Sequence, residues 1–173
     1  MDELGESWMR WSVRFAVLCI YMRWMILLRR RDLPVAAPGR AACWVWSIGC
    51  AASLFHVSLA FHFVHDWSHR AAWNHTAAET MKLVGVQRGD GLWVNYAFSL
   101  IWVADCIRLW KANFRGKSTS SRLDCLVFCL FLFIVVNATV VFGPAFYRPI
   151  AIVAILLAAI LWGTRVGRFA ADP

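Results

Sequence analysis

From Ala41 to His65 the chain carries no Asp, Glu, Lys or Arg. At 1.5 Å rise per residue, a helix of this length crosses a bilayer. Inside lipid a lone segment must satisfy its own backbone polar groups, which restricts it to a helix. The rest of the chain repeats the pattern, with apolar runs separated by short basic loops. The composition agrees: 61% hydrophobic and 16% charged, where soluble domains carry about 45–50% and 25%. The reading is an all-α integral membrane bundle, one domain over residues 1–173.

Five apolar segments predict five transmembrane helices, with four as the alternative. They cover about 8–28, 41–65 with an extension to about 81, 92–110, 125–142 and 149–166. The first is the least regular, because Arg14 and Arg23 must snorkel to the headgroups. An interfacial helix is its alternative form. No Gly or Pro interrupts residues 66–81, so the second helix is expected to project beyond the bilayer or bend along it. Asp90 sits where an N-cap of the third span would fall. Trp8, Trp11, Trp24, Trp93, Trp110 and Trp162 lie near segment ends, as interfacial tryptophans do.

The net charge of +8 does not signal nucleic acid, because the basic residues flank apolar runs instead of forming one patch. They do set an orientation. One side collects eleven: Arg29, Arg30, Arg31, Arg40, Arg108, Lys111, Arg115, Lys117, Arg122, Arg165 and Arg168. The other collects five: Arg10, Arg70, Lys82, Arg88 and Arg148. The richer side is assigned to the cytoplasm, which puts the N-terminus outside and the C-terminus inside. The acidic start (Asp2, Glu3, Glu6) is unlike a cleavable signal peptide. The six cysteines form no C-x-x-C and read as small apolar side chains.

All five histidines fall between residues 56 and 75. On a continuous helix His62, His65 and His69 lie within about 60° of one another. Histidines spaced i, i+3 or i+4 can share one ion. The candidate metal ligands are therefore His62, His65 and His69 with Asp66 assisting, and His75 and Glu79 if the chain folds back. Zinc, iron or copper would accept such a set. The competing reading leaves the histidines hydrogen-bonded to water and lipid phosphate. Haem is set aside, since no other span supplies a facing His. Membrane desaturases gather histidines from several boxes; this chain has one box, so that activity is not carried over.

Asn95, Ser99 and Asp105 form a polar stripe on the third span. An ionisable group in a span is a functional candidate for a proton or cation path. The competing reading pairs Asp105 with Arg108, one turn on. The sequons at Asn74 and Asn137 carry no weight, the second lying inside a span. A non-enzymatic membrane subunit that binds lipid or a membrane partner is a further reading, and a homo-oligomer is compatible with all of these.

Two strings, Phe61-His62-x-x-His65-x-Trp67-Ser68-His69 and Asn95-Tyr96-x-Phe98-x-x-x-Trp102-x-x-Asp105, resemble those of a group of small, uncharacterised bacterial multi-pass membrane proteins. The resemblance covers roughly residues 55–110. It implies a bacterial inner-membrane location and second and third spans that act together.

Overall fold

The computed structural model describes residues 3–29, 39–119 and 121–141, with isolated helical positions at 148, 149, 152, 153 and 156. The described residues form five α-helices and no strand. They are α1 (Glu3–Arg29), α2 (Arg40–Phe63), α3 (His69–Val84), α4 (Gly91–Phe114) and α5 (Ser121–Val136). A π-helical turn, Asn137–Val141, follows α5.

Three segments are long and apolar enough to cross a membrane: Arg40–Phe63, Gly91–Phe114 and Arg122–Thr139. They match the second, third and fourth expected spans. The first expected span forms a 27-residue helix but is not among the three found in the described residues. The fifth, 149–166, falls almost wholly outside the described residues.

α1 opens with Glu3 and Glu6 in its first turn, where carboxylates complement the helix dipole. α4 begins directly after Asp90. The Asp90 backbone carbonyl accepts from Trp93, as expected at a helix start, but its carboxylate is engaged by Arg88, with Nε at 2.7 Å.

Packing divides the chain into two units, residues 1–19 with 44–108, and residues 20–43 with 109–173. The core of the first includes Ala16, Cys19, Trp46, Cys50, Ala72, Ala77, Leu92, Phe98 and Trp102. Trp46 and Trp102 pack with ring centroids 5.0 Å apart. The core of the second includes Trp24, Cys43, Leu109, Phe128, Phe131 and Val135, with Trp24 against Phe128 at 5.1 Å.

The expected extension of the second helix to about residue 81 is corrected. α2 stops at Phe63, and residues 64–68 turn the chain into a separate helix. Asp66 and Trp67 adopt φ of 46° and 57°, a left-handed conformation costing non-glycine residues roughly 1–2 kcal/mol each. Local bonds offset the strain. The Trp67 amide donates to the Phe61 carbonyl at 2.9 Å and the Ser68 amide to His65 at 2.7 Å. The Ser68 hydroxyl accepts from the Ala71 amide at 3.2 Å as N-cap of α3. α3 ends at Gly85 with φ 73°, whose amide returns to Met81. Beyond it Gly89 is buried against Trp73; an added Cβ would meet the indole at 2.6 Å.

Replacing Ser68 with alanine removes the cap, worth about 1 kcal/mol. We expect the amides of α3's first turn to exchange hydrogen roughly fivefold faster. Unchanged exchange at Ala71 would show that the cap does not hold the turn.

Candidate functional site

The break between α2 and α3 distributes the histidines. His62 ends α2, exposed, with its ring on Phe63 at 4.7 Å and Trp67 at 6.3 Å. His69 opens α3, and its Nδ1 lies 3.0 Å from the Tyr96 hydroxyl of α4. Trp93 flanks that pair, 5.5 Å from the imidazole. His65 stands in the turn, edge-on to Phe61 at 5.6 Å. Its second neighbour is His75 of α3, at 5.3 Å between ring centroids and 62° between planes.

The expectation of one shared helix face for His62, His65 and His69 is thus corrected. It required a continuous helix, and the left-handed turn at Asp66 and Trp67 rotates each ring into a different aromatic setting. Among the described residues no group of three or more His, Cys, Asp or Glu converges to hold a metal ion. Asp66 is exposed in the turn. Glu79, expected beside His75, hydrogen-bonds Lys82 at 2.6 Å.

Electrostatics separate these groups. Partial burial, then the facing His75, hold the His65 imidazole below its ordinary range. The Lys82 ammonium keeps the Glu79 carboxyl below the usual carboxylate range. His65 is therefore biased toward its neutral, ligand-competent form, and Glu79 toward a carboxylate already paired with a cation.

His56 belongs to another setting. Its Nδ1 lies 2.9 Å from the Met9 carbonyl and 3.3 Å from the Ser12 hydroxyl. A carbonyl acceptor places the proton on Nδ1, and the imidazole ties α2 to α1.

The polar residues of the third span are not equivalent. Asn95 is exposed, and the Ser99 hydroxyl donates to the Asn95 carbonyl at 3.0 Å. Asp105 is buried. Its Oδ1 accepts from Arg108 at 2.7 Å through Nε, with a second guanidinium nitrogen at 2.6 Å. Its Oδ2 accepts from the Trp46 indole of α2 at 2.9 Å. The Arg108 partner was legible from spacing. Trp46 was not, because a bond across 59 positions leaves no local signal. The same holds for Tyr96 as partner of His69.

Comparison with family models, with curated proteins and with solved structures gives no match for this chain. Among the described residues, fold and composition together define a helical protein with three helices long and apolar enough to cross a membrane.

Proposed function

We propose that this chain is a membrane-embedded helical protein that binds a divalent transition-metal ion, zinc or copper, between His65 and His75. One observation carries the reading. Two imidazoles that share a tetrahedral zinc at about 2.0–2.1 Å have ring centroids roughly 5 Å apart, and these two stand at 5.3 Å. They come from different elements, the turn and α3, so their approach is a product of the fold. His62, His69 and Asp66 lie outside this ligand set. Glu79, one turn beyond His75, is the carboxylate nearest to that residue in sequence, and it would have to leave Lys82 to join.

The segment that carries the pair connects α2 to α4. The basic-residue asymmetry supports placing it on the non-cytoplasmic side. Trp67 and Trp93 are 65% and 58% exposed, which supports the depth of a membrane interface. The stripe of Asn95, Ser99 and Asp105 reads as structural here, since its hydroxyl and carboxylate already have protein partners.

Calorimetric titration of the metal-free full chain in detergent with zinc tests the site. His65→Ala and His75→Ala are each expected to weaken binding at least about tenfold, or 1.4 kcal/mol. His62→Ala and His69→Ala are expected to bind like the parent. Undiminished binding in either of the first two variants, or an equal loss in His62→Ala, would rule the assignment out.

A further inference from the structure

We propose that Cys50 of α2 and Cys106 of α4 form a membrane-buried dithiol, which a lipid-soluble quinone oxidises to a disulfide joining the two helices.

In the sequence the six cysteines read as small apolar side chains, with no C-x-x-C among them. Packing singles out two of them. The Cys50 and Cys106 thiols share a hydrogen bond, and Cys106 is also hydrogen-bonded to the Ser47 hydroxyl. Both cysteines belong to the same packing unit. Neighbouring contacts fix the two helices at this level. Trp46, one turn before Cys50, donates to Asp105, next to Cys106, at 2.9 Å. Its ring lies 5.0 Å from that of Trp102, one turn before Cys106. A Cβ at Gly49 would stand 3.0 Å from the Trp102 ring, so α2 and α4 approach closely beside Cys50. A disulfide needs its sulfurs about 2.05 Å apart. Two thiols already in hydrogen-bond contact approach that bond by rotating about their Cα–Cβ bonds.

Depth selects the oxidant. Cys50 lies about 15 Å along α2 from Arg40, and Cys106 about 12 Å along α4 from Phe114. The hydrocarbon core is roughly 30 Å thick, which puts the pair well inside it. A charged aqueous oxidant such as glutathione disulfide is costly to bring there, whereas a quinone dissolves in it. Cys50 is buried and Cys106 only partly so, which makes Cys106 the thiol that the quinone reaches first. The exchange balances. The two thiols lose two protons and two electrons and form one S–S bond. The quinone takes up both protons and both electrons and leaves as the hydroquinone.

The test uses the full chain in non-ionic detergent, reduced and kept free of oxygen. The oxidant is a decyl benzoquinone substituted at every ring carbon, so that thiols cannot add to the ring. Mass spectrometry of the unreduced digest reads the cross-link, and absorbance reads the hydroquinone. The expected result is a peptide pair linked through Cys50 and Cys106, with one hydroquinone formed per disulfide. Cys50→Ala and Cys106→Ala should each abolish both products. Cys19→Ala, which removes another buried thiol, should react like the parent. Thermal unfolding of the reduced proteins separates a lost thiol from a lost fold: Cys50→Ala should unfold near the parent's temperature and still form no hydroquinone. A cross-link through Cys19, or a hydroquinone yield undiminished in Cys50→Ala, overturns the pairing. Six free thiols after quinone treatment overturn the redox role. An equal cross-link formed by glutathione disulfide alone overturns the quinone as the selected oxidant.

Discussion

Replacing Asp105 with alanine is expected to destabilise the protein by about 3 kcal/mol. Asp105 is 4% exposed and accepts from both Arg108 and Trp46. Removing one partner of a buried pair costs about 3–5 kcal/mol, because the remaining charge keeps its desolvation penalty. The Arg108 side chain is 24% exposed, so water relieves part of that penalty and the lower end applies. Asp105→Asn should cost less, since the amide oxygen can still accept from one donor. Denaturant unfolding in detergent, followed by tryptophan fluorescence, reads the difference. A loss below about 1 kcal/mol for alanine would mean that the carboxylate does not tie α2 to α4. A double-mutant cycle with Trp46→Phe then separates the indole bond from the ion pair.

Gly49→Val is expected to cost a similar amount for a steric reason. A Cβ at position 49 would stand 2.7 Å from the Cys19 Cβ and 3.0 Å from the Trp102 ring. Neither neighbour can yield easily, since Cys19 and Trp102 are 4% and 1% exposed. Overpacking of this kind costs about 1–3 kcal/mol, and the two further methyls of valine place the change at the upper end. Gly49→Ala should fall near the lower end. Gly85→Ala provides the contrast. Nothing lies within 4 Å of its would-be Cβ, and only its φ of 73° opposes a side chain, so its cost is conformational, about 1 kcal/mol. A Gly49→Val loss no larger than that of Gly85→Ala would contradict a close three-helix approach at Gly49.

The second, third and fourth expected spans were legible because lipid imposes one rule on every residue of a segment. A run without charge from Ala41 to His65 marks α2 within about two residues of its end at Phe63. α4 and α5 follow from the same signal. The break after α2 was not legible, since neither Gly nor Pro marks it. Asp66 and Trp67 take left-handed angles because bonds to Phe61 and His65 and the Ser68 cap hold them there. That turn decides which side chains each histidine meets. A continuous helix puts His62, His65 and His69 on one face; the turn sends His65 to His75 and His69 to Tyr96. Both of those partners lie beyond the reach of helical periodicity. Asp105 was half legible: Arg108 is one turn away on the same helix, whereas Trp46 is reached only when α2 and α4 pack.

X-ray absorption at the zinc edge, on the zinc-loaded full chain, tests the central claim most directly. The account predicts nitrogen neighbours at about 2.0 Å with the outer-shell pattern of imidazole rings. That pattern should vanish in the His65→Ala/His75→Ala double variant. Sulfur neighbours at about 2.3 Å, or an imidazole pattern unchanged in the double variant, would contradict it.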